Sequence, residues 1–317
     1  MKEKPIIAVS ACLMGQNVRH DGSNASYETL ATEWSSNFQF LPICPEIDIG
    51  MGVPRGETKL VKSANKIVLM DSSNGQDFTE QMLEYAQTQS DFLIDSGICG
   101  LVVKSNSASC GLQGVAVQTP GQTSPLTNGK GLFTMVFTTL NPHIPVIEEK
   151  RLTDSTQAEH YLSRVQFFNG WLMFGRNGWT MEKLAQFHAE NEYFLLSSVP
   201  HMVSNLNNLI HSLAANETHP ETIALEYMTK AQKSLNVVTI KGRVASTMEL
   251  VLSKFSERIS NAEKQEIIEL INGFRTGKLP RNAPLSLLNR YLQEYDINDT
   301  TISRFIDSVP LEMRFSN

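Results

Sequence analysis

Pro5-Ile6-Ile7-Ala8-Val9-Ser10-Ala11-Cys12-Leu13-Met14-Gly15 decides the reading of this chain. It is a short β-branched run that stops at small residues and hands a cysteine into a turn. The pattern recurs. Residues 38–43 form a second run that ends in Cys44-Pro45-Glu46, and residues 66–70 a third. Residues 100–103 form a fourth, opening into Lys104-Ser105-Asn106-Ser107-Ala108-Ser109-Cys110-Gly111. A helix is expected over about 77–95, where Phe78, Met82, Tyr85, Ala86 and Phe92 share a face at a 3.6-residue period. A helix over 131–140 and a strand over 144–147 complete the series. Strands alternating with helices imply an α/β domain, a Rossmann-like parallel sheet with helices on both faces.

Open α/β sheets take ligands beyond the carboxyl ends of their strands. Cys12, Cys44 and Cys110 each follow a strand, so residues far apart in sequence can converge at one rim. Free cysteine is also a common buried hydrophobe. Cys99, at the entrance to a buried strand, is read that way. The chain has no C-x-x-C pair, which leaves zinc-ribbon and thioredoxin-like motifs unsupported. Spacing alone therefore leaves the three loop cysteines as ligands, catalysts or packing residues.

The 317 residues suggest two domains, 1–155 and 156–317. A hydrophobic content of 41% with 19% charged residues excludes wholesale disorder. No apolar run is long enough to span a bilayer, and the N-terminal run is too short for a signal peptide, so a cytoplasmic protein is expected. Residues 1–160 carry 11 Lys and Arg against 17 Asp and Glu, whereas 161–317 carry 16 against 16. This balance argues against indiscriminate nucleic-acid binding but permits a local basic face. From about residue 153 helices dominate, and an all-α C-terminal domain of five or six helices is expected. Thr180 reads as the N-cap of a helix to about 199. Thr218-His219-Pro220-Glu221 and Ser260-Asn261-Ala262-Glu263 match the capping box. Gly277 before Pro280 reads as a stop, and residues 284–295 as a further helix.

Four words occur in fixed order: Ser10-Ala11-Cys12-Leu13-Met14-Gly15; Asn17-Val18-Arg19-His20-Asp21-Gly22; Cys44-Pro45-Glu46 with Gly52-Val53-Pro54-Arg55; and Ser107-Ala108-Ser109-Cys110-Gly111. Over roughly residues 5–150 the chain resembles the thiouracil desulfidase family. The resemblance implies that Cys12, Cys44 and Cys110 hold a [4Fe-4S] cluster with one iron not ligated by protein. It also implies that Glu46 and Ser107 are the catalytic residues. The chain departs from the family at Ala108, where proline is usual, and at Gly56-Glu57-Thr58, where a Glu-Pro pair is expected. Roughly 180–317 resembles the YbgA-like domain of longer members, through Ala185-Gln186-Phe187-His188, Arg275-Thr276-Gly277-Lys278-Leu279-Pro280 and Pro284-Leu285-Ser286-Leu287-Leu288.

What the resemblance implies is a cluster-dependent, non-redox desulfidase that converts 4-thiouridine in tRNA to uridine and releases sulfide. Two other readings stand beside it: a desulfidase of free 4-thiouracil or 4-thio-UMP, and an iron–sulfur sensing protein without turnover. Arg19, Asp21 and Arg55 are candidates to orient substrate or cluster, or to form salt bridges between loops. His188 reads as a packing histidine. Lys230, Lys233, Lys241 and Arg243, and separately Arg275, Lys278 and Arg281, are candidate phosphate contacts or solvated faces. Trp171 and Trp179 are candidates for stacking on a base or for the core.

Overall fold

The computed structural model describes residues 4–64, 66–213 and 219–310. The chain divides into two compact units, Met1–Asp154 and Ser155–Asn317. The first unit runs β1 (Ile6–Ser10), β2 (Gln39–Ile43), α1 (Pro45–Asp48), β3 (Thr58–Ser63), β4 (Lys66–Asp71), α2 (Thr79–Asp95), β5 (Ile98–Val103), β6 (Val115–Gln118), β7 (Leu126–Gly129), α3 (Leu132–Leu140) and β8 (Val146–Glu148).

Strands β2-β1-β5-β8 form one sheet, parallel throughout. Ile7, Ala8 and Val9 are fully buried, and so is every residue of β5. Continuous apolar runs of this kind suit strands covered on both faces. The three strands that lead to Cys12, Cys44 and Cys110 are neighbours, and all three cysteines follow their carboxyl ends.

The fold class is α/β followed by all-α, with differences of detail. Residues 66–70 do not join the parallel sheet. As β4 they belong to a second sheet, β4-β3-β6-β7, with β3 and β4 antiparallel, β3 and β6 parallel, and β6 and β7 antiparallel. Thr58-Lys59-Leu60-Val61-Lys62-Ser63 is polar at four of its six positions, which hid its strand character; only Leu60 of β3 is fully covered. On α2 the buried stripe is Met82, Ala86, Ser90 and Leu93, and Phe92 is exposed. At about 100° per residue, Phe92 lies well round the helix from Leu93.

The second unit has nine α-helices among the described residues: α4 (Ser155–Gly175), α5 (Met181–Glu190), α6 (Glu192–Ser198), α7 (Pro200–Leu213), α8 (Pro220–Ser234), α9 (Lys241–Phe255), α10 (Asn261–Arg275), α11 (Asn282–Glu294) and α12 (Thr300–Ile306). The expected helix over 180–199 begins as read, with Thr180 Oγ1 accepting from Lys183 N at 3.1 Å, but it breaks at Asn191. The Asn191 side chain donates to Phe187 O, a local bond that competes with helix continuation. Ser260 and Glu263 form the full capping box, and Gly277 takes φ +77 behind α10. Before α8 the N-cap is His219; Thr218 lies outside the described residues. No helix is long and apolar enough to cross a membrane among the described residues.

Candidate active site

The carboxyl rim of β2, β1 and β5 opens into a cavity of about 290 Å³ lined by Cys12, Cys44, Cys110, Glu46 and Ser107 together. Each reaches it by a separate local device. Ser10 ends β1, and Ala11–Met14 then makes one 3₁₀ turn, closed by Gly15 at φ +81. That turn carries Cys12. Cys44 is the N-cap of α1, and Pro45 occupies N1, where no N–H is needed. Glu46 follows in the first turn, so it sits beside the cavity as a consequence of the Cys44 cap.

The Cys110 loop is the most tightly built. Ser107 Oγ accepts from Ser109 N at 3.2 Å and from Cys110 N at 3.0 Å. Gly111 N donates to Ser107 O at 2.8 Å, and Thr134 Oγ1 donates to Cys110 O at 2.6 Å. The first N–H groups of α3 find the loop's carbonyls: Leu132 N donates to Ala108 O and Phe133 N to Ser109 O. The orphan donors of a helix start are thereby satisfied by the Cys110 loop itself. Gly131 makes this approach possible, because a Cβ there would lie 2.5 Å from the Ser109 carbonyl.

Glu46 is held from three sides. Arg55 donates through Nε at 3.1 Å and also contacts Oε2 through Nη2; Thr58 Oγ1 donates to Oε1 at 2.9 Å, and Ser109 Oγ to the same oxygen at 2.8 Å. Thr58 and Ser109 lie in the words where the chain departs from the family pattern. Arg55 also donates to Gly52 O and Val18 O, joining two loops around the carboxylate. Arg19 and Asp21 form a loop salt bridge at 3.8 Å on the outer part of the site.

A second ion pair was not found from the sequence. Glu149, just after β8, accepts from Lys104 Nζ at 2.6 Å, Ser105 N at 2.6 Å and Ser105 Oγ at 2.7 Å. Burial would raise the Glu149 carboxyl, but Lys104 and Ser105 hold it below the usual range. The signal was available: Glu149 follows a strand at the same rim as the cysteines. Ser10, also unremarked in its own right, accepts from Lys104 N at 3.0 Å.

Burial, with Cys44 nearby, pushes the Cys12 thiol up to about 11. Burial raises Cys44, and raises Cys110 further, with Glu46 and Cys44 adding to it. Three soft donors thus face one cavity, each disfavoured as a bare thiolate and each relieved by a bound cation. Among the described residues no three His, Cys, Asp or Glu side chains converge as they would on a single metal ion. Three cysteines facing one cavity are the soft donor type that iron–sulfur clusters take. Cys99 is buried, pushed up to about 12 by that burial, and does not line the cavity.

In the helical unit the basic clusters thin out. Lys230 pairs with Glu226 and Arg275 with Glu249, both at 2.7 Å, and Arg281 is buried. Trp179 is buried against Trp171 and Phe187, and His188 is buried with Nδ1 at 3.0 Å from the Tyr227 hydroxyl. These aromatic and imidazole groups belong to the core.

Residues 7–149 match the family model described as 2-thiouracil desulfurase, and residues 193–310 match that of a family of unknown function, DUF1722. The uncharacterized protein YbbK of Bacillus subtilis (strain 168) is 28% identical over 111 residues, which make up 33% of this chain and 73% of that one. A solved [4Fe-4S]-dependent thiouracil desulfidase, TudS, is 25% identical with a TM-score of 0.38, covering 47% of this chain and 93% of its own. The chain carries a 2-thiouracil desulfurase domain, that of a desulfidase enzyme, ahead of a DUF1722 domain.

Proposed function

We propose that Cys12, Cys44 and Cys110 hold a [4Fe-4S] cluster with one iron free of protein ligands, and that the enzyme hydrolyses the thiocarbonyl of a 4-thiopyrimidine. The observation that carries this reading is the meeting of three strand-end cysteines with Glu46 and Ser107 in one cavity. Bound there, the cluster would supply a soft Lewis acid for thiocarbonyl sulfur. The reaction balances without redox change: C=S and water give C=O and hydrogen sulfide. Glu46 takes a proton from the water and returns one to the departing sulfur or to the ring nitrogen. Arg55, Thr58 and Ser109 fix the direction in which its carboxylate points. Ser107 keeps its oxygen on two backbone N–H groups and leaves its own proton for the pyrimidine.

The substrate proposed is 4-thiouridine in tRNA, with the second domain as the RNA platform and the cytoplasm as the compartment. Free 4-thiouracil or 4-thio-UMP is the alternative within the same chemistry. A sensor without turnover has no use for a carboxylate held beside the ligands, and that favours the enzyme. The test is anaerobic incubation of the reconstituted full chain with thiolated tRNA, 4-thio-UMP and 4-thiouracil, following loss of thiocarbonyl absorbance and release of sulfide. Faster turnover of tRNA supports the reading. Turnover of the small molecules alone replaces the substrate, and no turnover with an intact cluster replaces the enzyme with a sensor.

A further inference from the structure

The helical unit contains a small notch remote in sequence from the cysteine loops. Its walls include Glu159, His160 and Ser163 of α4, Thr239 just before α9, Lys241 at its start and Arg281 just before α11, with Val244 and Phe274 as apolar walls. Arg281 is 8% exposed, with Nη2 donating to Ser308 Oγ at 2.8 Å and Nε without a hydrogen-bond partner among the described residues. A buried guanidinium N–H left without an acceptor is costly, and a bound anion would relieve it. The 15-residue helix α9 begins here, and its N-cap, Ile240, offers no side-chain acceptor. Lys241 stands in the same first turn, so a cationic side chain and the positive helix end face the notch together.

His160 is neutral in this setting: Nε2 lies 2.7 Å from Leu235 O and Nδ1 3.3 Å from Thr239 Oγ1, and burial pushes its pKa down to about 4. Glu159 is the one carboxylate on the wall. The cavity measures about 30 Å³, room for roughly two waters at about 10–15 Å³ each. A base or a sugar does not fit, whereas two oxygens of a tetrahedral group do. Ile240, the residue before α9, is 59% exposed.

We propose that this notch binds a phosphate group, two of whose oxygens sit between Arg281, Lys241 and the first amides of α9 while the rest of the ligand stays outside. Glu159 opposes the anion and sets the affinity below what the two cations alone would give. The site does not depend on the desulfidase reading, since its test involves no turnover. The phosphate can come from free inorganic phosphate or from an RNA backbone, and two arms separate these sources.

Inorganic phosphate is titrated into the ¹⁵N-labelled full chain at fixed ionic strength, with the Lys241 and Gly242 amides as reporters. Saturable shifts are expected. Lys241→Gln, at the partly exposed rim, should weaken binding about tenfold, the scale of one charge-assisted contact. Glu159→Gln should strengthen it several-fold. In the second arm a tRNA transcript without thiouridine shifts the same amides if the source is RNA; shifts with phosphate alone keep the site and assign it to the free ion. Absence of saturation with both probes, or weaker binding in Glu159→Gln, overturns the proposal.

Discussion

Arg55 and Glu46 form a buried ion pair on the cavity wall, with side chains 4% and 14% exposed. Removing one charge from such a pair strands the other in a poorly solvated place, at a cost of about 3–5 kcal/mol. Arg55→Met should therefore destabilise the enzyme more than Glu46→Gln does, and the double variant should recover part of the loss. Urea melts of the three variants measure this. Additive losses would mean that the pair is not coupled in solution.

Glu46→Gln should retain the cluster's visible absorbance and lose turnover by about 10²–10⁴-fold, the range for a general acid or base. Reconstitution followed by sulfide release separates the two effects. Full turnover removes Glu46 from the chemistry.

Alanine at Cys12, Cys44 or Cys110 should abolish the reconstituted cluster, whereas Cys99→Ala should keep it, because Cys99 lies away from the cavity. Iron and acid-labile sulfide analysis decides the matter. A cluster that needs Cys99 but not one of the three would reassign the ligands.

Ser107→Ala leaves the Ser109 and Cys110 N–H groups without their acceptor. A lost buried acceptor costs about 1–3 kcal/mol locally, so the variant should bleach faster in air as well as turn over more slowly. Slower turnover with unchanged air stability would confine Ser107 to substrate.

Gly131→Ala places a methyl group against the Ser109 carbonyl, 2.5 Å away. Overpacking of this kind costs about 1–3 kcal/mol. Lower thermal stability of the first unit and poorer cluster uptake should appear together, by calorimetry and by iron content.

His160 gives the helical unit a pH dependence. Its folded pKa of about 4 lies below the ordinary 6.5, so the unfolded chain binds the proton first as pH falls. Stability is complete above about pH 6.5 and falls by up to about 3 kcal/mol toward pH 4. Burial is the main cause, with Arg164 and Arg281 adding to it. The slope of stability against pH should flatten in His160→Gln, and an unchanged slope would place the acid sensitivity elsewhere.

The parallel sheet was legible because β1, β2 and β5 are apolar runs ending at marked turns. That the cysteines gather at one rim followed from the strands that precede them, whereas Glu46, Ser107 and the choice of Cys12, Cys44 and Cys110 as cluster ligands came from the resemblance to the thiouracil desulfidase family. The second sheet was not legible, because β3 and β7 carry polar residues at half or more of their positions and the pairing of β3 with β6 joins segments far apart in the chain. Thr58, Ser109 and Glu149 were missed for a related reason. A threonine, a serine and a glutamate carry no local mark of the carboxylate or lysine they meet across 12, 63 and 45 residues.

The fastening of the Cys110 loop to α3 bears on the order of assembly. Its carbonyls take the helix N–H groups, its turn closes through Ser107, and Thr134 ties down Cys110 O, all without a thiol. A loop shaped by backbone bonds has its form before any iron arrives. Small zinc modules fold only as the metal binds; a loop fastened by its own backbone should instead keep its fold without iron, and thermal melts of the iron-free chain would check this.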